Sequence, residues 1–248
     1  MTVAAGTLIS ILAFWASPQD DKTFLPAIKK FREEYYKVGA KDDDKIAAVN
    51  YLAQHRHERI VAELTPLLTE ASLPVRMITA RMLSQFTQVE AAPRELLNGL
   101  KAQANSGKKQ SCVRIEILRA LGNLRYKPAA SEVAKMVEDR EVWVAKAAID
   151  ACGRIRTAEA IDPLLKALRR IEGSMGDSEV YPLDEILEGV SRGSLLKPDP
   201  NQKRPTERDV LKQPILSALN AITKQSFPVS KDWDTWWSKN KATFRVAD

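Results

Sequence analysis

Between residues 139 and 170 the chain alternates apolar and polar positions with a helical period, in two blocks. In the first, Val144, Ala148, Ala151, Cys152 and Ile155 recur at i, i+4, i+7, i+8 and i+11, one face of a helix. Ala148 and Ala151 are small, so a neighbouring helix can come close at the centre of that face. Gly153 is read as the residue that lets the backbone turn at the helix end. In the second block Ile161, Leu164, Leu165 and Leu168 form another such face, with Pro163 in the first turn, where it is tolerated. Two helices this short cannot bury both faces against each other alone. The pattern therefore predicts copies on either side.

The copies are present. Thirty-one residues back the pattern falls on Val113, Arg114, Ile117, Ala120, Leu121 and Gly122. A further 38 back it meets Val75, Arg76, Thr79, Met82, Leu83 and Ser84, and 31 before that Asp44, Lys45, Ala48, Tyr51, Leu52 and Ala53. Forward, Leu211, Lys212, Ile215, Ala218, Leu219 and Asn220 fit again. Partner helices are expected at 60–68, 96–103 and 130–137, and a first pair at 24–38 and 42–56. Two helices per unit of 31 to 38 residues is the signature of an all-α solenoid. With Val113-Arg114 and Ala120-Leu121-Gly122 as the closest match, the sequence resembles the HEAT-repeat family in its short HEAT-like, PBS-lyase-type form. The resemblance runs over about residues 24–225 and implies an α-solenoid of about five helix pairs.

The same resemblance assigns charged positions. Glu70 and Asp139 stand five residues before Val75 and Val144, where HEAT units place an acid in the turn within a repeat. Arg76 matches the Arg that pairs with such acids; Lys45, Arg114 and Lys212 share its position, and the fourth unit has Ala145. Lys108 replaces the acid in the third unit, inside a longer loop at 104–110. One reading is an internal ladder of ion pairs, which the matched acids favour. The other is a basic stripe in which Arg76, Arg114 and Lys212 face an acidic partner.

Near the end, Trp233, Trp236 and Trp237 sit at i, i+3 and i+4, one helical face. This tail resembles that of bacterial HEAT-repeat proteins, many of them exported, in which I-T-G-Q-x-F precedes a W-x-x-W-W helix. Here Lys224 stands in place of the glycine. The tryptophans are expected to seal the open end of the last repeat against the helix carrying Ile215, Leu219 and Ile222. The competing reading is an exposed platform for a sugar or peptide, which so large an aromatic patch disfavours.

The first sixteen residues carry no charged side chain and SPQDDK follows, which suits an export signal cleaved after Ala16. No Lys or Arg precedes the apolar run, and Phe14 stands where a small residue is wanted, so an uncleaved anchor and a plain core helix stay open. The expected division is a signal at 1–16, a solenoid at 17–225 and a Trp-rich cap at 226–248. The solenoid carries an insertion at about 173–206, with a short helix at 183–190. The expected location is periplasmic or extracellular, with no stable membrane span once the signal is removed.

Composition adds little chemistry. The net charge is +6, and residues 194–245 hold ten Lys and Arg against five Asp and Glu, so the excess belongs to the C-terminal end rather than to a continuous basic groove. Asp42, Asp43 and Asp44 suit a helix start, and lack the spacing of a calcium loop. Some HEAT-type proteins hold di-iron through several His-Glu pairs, but His55 and His57 are the only histidines, and they fit a polar turn. Cys112 and Cys152 fall about 13 Å apart along the helix direction, too far for a disulfide. No catalytic residue, metal or cofactor is expected, whether of the bilin-lyase or the DNA-glycosylase kind. The function expected is a non-catalytic scaffold offering the concave row of second helices to a protein or peptide. The alternative is nucleic-acid or polyanion binding through the basic C-terminal end.

Overall fold

A computed structural model describes residues 21–173, 178–181 and 204–246. Each periodic stretch within them is a helix, and the helices pair along the chain. α1 (Asp21–Tyr35) pairs with α2 (Asp42–Leu52), and α3 (Glu58–Leu64), prolonged by the 3-10 turn Thr65–Thr69, with α4 (Leu73–Leu83). α5 (Ala91–Lys101) pairs with α6 (Ser111–Asn123), and α7 (Ala130–Lys135) with α8 (Val142–Ile155). α9 (Ile161–Glu172) pairs with α10 (Glu207–Thr223), and α11 (Ser230–Asn240) closes the stack. Among the described residues there is no strand; a lone antiparallel bridge joins Glu179 and Thr206. The chain is an all-α solenoid. The expected signal at 1–16 and the helix at 183–190 lie outside the described residues.

Local chemistry sets the helix starts. Lys41 N donates to Asp44 Oδ2 at 3.0 Å, so the aspartate run caps α2. Ser72 Oγ accepts from Val75 N at the start of α4. His57 Nδ1 accepts from Arg59 N at 3.1 Å, and its ring stacks on Phe24 with centroids 4.0 Å apart. The histidine pair is a capping turn.

The second helices α2, α4, α6, α8 and α10 form one closely packed row; the first helices touch each other far less. Gly122 and Gly153 show why. A Cβ on Gly122 would lie 3.0 Å from Ala151 Cα, and one on Gly153 3.1 Å from Ala218 Cα. Gly153 thus lies inside α8 as a point of close approach, not as the turn residue the sequence suggested. The turn is made by Arg156, whose φ of 57° is left-handed. A stack pinched along one row and splayed along the other must curve, with the second helices on the inner side.

The two flanks of the insertion meet. Val180 N donates to Pro205 O at 2.8 Å and Glu207 N to Ser178 O at 2.9 Å. Trp143 Nε1 donates to Tyr181 O at 2.6 Å, which fixes this stem to α8. No described helix is long and apolar enough to cross a membrane.

Candidate functional site

The repeat-start cations point into the stack. Lys45 Nζ reaches Glu70 at 2.9 Å, Arg114 pairs with Asp139, and Lys212 Nζ meets Glu172 at 3.1 Å. Arg76 was expected to meet an acid. It instead donates to Ala104 O at 2.6 Å and Asn105 Oδ1 at 2.9 Å, where burial pulls its guanidinium below the usual value and Glu70 pushes back. Asn105, 0% exposed, also donates to Leu68 O and Gly99 O. Arg76 and Arg114 keep only 5% and 7% exposure, so they do not form the basic stripe considered above. With Ala145 in the fourth unit the ladder breaks there.

A second set of bonds crosses the inner face. Glu116, buried, accepts from Arg81 Nε and Nη2 at 3.3 and 3.1 Å and from Arg119 at 3.1 Å. Arg56 binds Gln85 and Arg154 binds Asn123, each across a repeat boundary. Most of these cations are already engaged, yet Arg81 and Arg119 remain about half exposed on the concave side.

The polar anchors of the tryptophan helix lie on α9. Trp233 is fully buried, with Nε1 donating to Phe227 O at 3.0 Å. Trp237 is buried too, and its Nε1 donates to Asp162 Oδ1 at 2.8 Å. Lys241 holds the other oxygen of Asp162, Arg169 pairs with Asp234, and Ser230 N donates to Glu172. These polar anchors lie on α9, because α11 takes the next place in the row of first helices. Burial pushes Asp162 and Glu172 up, but the hydrogen bonds from Lys241 and Trp237, and from Ser230 and Lys212, outweigh it; both carboxyls sit below their ordinary values. Trp236 is half-buried among Phe227, Trp237 and Phe244.

The six candidate residues therefore do not gather into one surface. Two shallow grooves lie instead between splayed first helices. One, of about 600 Å³ between α7 and α9, is lined by Lys135, Glu138, Glu159 and Lys166 around Ala134 and Pro163. The other, of about 330 Å³ between α3 and α5, is lined by Glu58, Val61, Pro66, Ala91 and Arg94. Their charges alternate in sign. Among the described residues no three His, Cys, Asp or Glu converge on a metal position. Both cysteines are free and buried; burial pushes the Cys152 thiol up to about 12 and Cys112 upward.

Residues 97–174 match the family model for HEAT repeats. This segment carries HEAT repeats. The match takes in α6 through α9, and with them the Arg114–Asp139 rung and the Gly122–Ala151 approach. HEAT repeats are commonly protein-interaction scaffolds, and their solenoids are generally non-catalytic. No curated protein matches the chain.

Proposed function

We propose that this HEAT solenoid is a non-catalytic scaffold that binds a protein or peptide partner. The observation that supports it most is the inner row itself: Arg81 bonds Glu116 and Arg154 bonds Asn123 across repeat boundaries, so α4, α6 and α8 present one pre-ordered surface. A pre-ordered surface loses little conformational entropy on binding, which favours affinity for a given contact area. We also propose that the chain is exported and that the mature form starts near Ser17, because the preceding residues carry no charge. The division into signal, solenoid and Trp-rich cap belongs to the same proposal.

The test is crosslinking of the chain in its native host, beside a variant with Arg81→Glu and Arg119→Glu. A defined protein recovered with the parent and lost with the variant supports the reading. Micromolar or tighter binding of DNA or heparin near physiological salt would replace it with polyanion binding, which falls steeply with salt. Mass spectrometry of the same material reads the N-terminus. Intact Met1 or Thr2 in a cytoplasmic fraction would end the export proposal.

A further inference from the structure

Three consecutive second helices, α6, α8 and α10, end in residues with left-handed backbone: Arg125 (φ 49°), Arg156 (φ 57°) and Lys224 (φ 61°). Glycine is the usual occupant of that position, because a residue with a Cβ is strained there by about 1–2 kcal/mol. Here all three are cations. The turns holding them, residues 123–129, 154–160 and 224–230, contain Arg125, Lys127, Arg154, Arg156 and Lys224 against a single acid, Glu159. On the opposite edge, the turns at 70–72, 102–110 and 139–141 balance Lys108, Lys109 and Arg140 with Glu70, Asp139 and Glu141. Arg125, Arg154 and Lys224 are exposed; Arg156 is half-buried with contacts of its own. Val229, 39% exposed, and the half-buried Phe227 and Tyr126 add apolar surface along the same edge.

We infer that this inter-repeat edge is a docking strip for an extended acidic peptide. The spacing selects the partner. Gly122 and Gly153 hold α6, α8 and α10 in close contact three residues before Arg125 and Arg156, so successive steps lie about 8–10 Å apart. An extended peptide in the polyproline II conformation rises about 3.1 Å per residue with about three residues per turn, so carboxylates at every third position share one face and keep step with the cations. A nucleic-acid strand carries a phosphate about every 3.4 Å, a charge density that cations stepped this widely do not match. Sparse, evenly stepped cations suit a peptide. The strip rests on the scaffold reading and names one surface and partner chemistry for it.

The experiment measures fluorescence anisotropy of the full chain with two labelled peptides of equal composition. One has glutamate at every third position, and the other has its glutamates contiguous. Single-stranded DNA is the third probe. The double variant Arg125→Gly, Lys224→Gly removes charge while relaxing both turns, so it should melt at or above the parent's temperature. The expected result is preference for the spaced peptide, weakened about tenfold or more in that variant and by salt. Equal binding of the two peptides, no binding of the spaced one, an unaffected variant, or tighter binding of DNA would each overturn the strip. If the glycine variant melts lower, Arg125→Gln with Lys224→Gln carries the same comparison. A native partner still crosslinked by the double variant would leave the scaffold standing while removing this strip.

Discussion

Asn105 carries more of the stack than any residue of its size. Its amide uses both donors on the Leu68 and Gly99 carbonyls and its oxygen on Arg76, so it joins the second and third repeats at 0% exposure. Asn105→Ala leaves two carbonyls and part of a buried guanidinium without partners. The expected cost is about 2–4 kcal/mol, read as a lower urea midpoint at unchanged m; a loss below about 1 kcal/mol would contradict the assignment. The sequence offered Lys108 as the occupant of that rung, because the third unit was aligned on Val113. The hint was the longer period, 38 residues instead of 31, whose extra length folds into the turns Gln103–Asn105 and Lys108–Gln110. Gly153 was visible as a glycine but not as a contact, since closeness depends on which helix arrives next. For Gly153→Ala, better helix propensity contributes about 1 kcal/mol, whereas forcing a methyl 3.1 Å from Ala218 Cα costs about 1–3 kcal/mol. Overpacking wins, and the melting temperature should fall by a few degrees.

Helix α11 is held to the stack by two kinds of attachment that respond to different perturbations. The apolar kind is Trp233: its replacement by Ala should cost about 3–5 kcal/mol in denaturant titration, while Trp236→Ala, at a half-buried site, should cost distinctly less. The polar kind is Asp162 with Trp237 and Lys241, and Glu172 with Ser230. Both carboxyls are depressed in the fold, so their contribution is complete above the ordinary carboxylate range, about 4, and is lost as the pH falls through their lower folded values. Tryptophan emission should therefore begin to shift below about pH 4, and Asp162→Asn should remove part of that shift. An acid transition identical in the variant would contradict the role of Asp162. The i, i+3, i+4 spacing of the tryptophans made a buried face legible. Its landing place was not, because nothing local to residues 230–240 records that the vacant position lay in the row of first helices.

The period of the repeats, the number of pairs and the buried identity of Val113, Val144 and Leu211 could all be read from the chain, because each follows from helical spacing and the need to bury a face. The curvature could not. It arises from small-residue contacts between Gly122 and Ala151 and between Gly153 and Ala218, and such contacts exist only once neighbours are stacked. The first helix shows the outward side of the stack: Lys29 with Glu33 and Lys30 with Glu34 lie about one turn apart in solvent, where such pairs contribute little stability. Their effect is a polar strip on α1 beside the exposed Leu25.

The stem formed by Ser178, Val180, Pro205 and Glu207 has a consequence for engineering. Because the chain leaves and re-enters the described solenoid at one point, a short bridge can span the stem in place of residues 182–203. Exchanging them for a glycine–serine bridge of about four residues should contribute about 1.5 kcal/mol through the shorter closure, read as a higher urea midpoint. The same point would accept a foreign domain whose termini lie close together, turning the stack into a handle that displays a cargo.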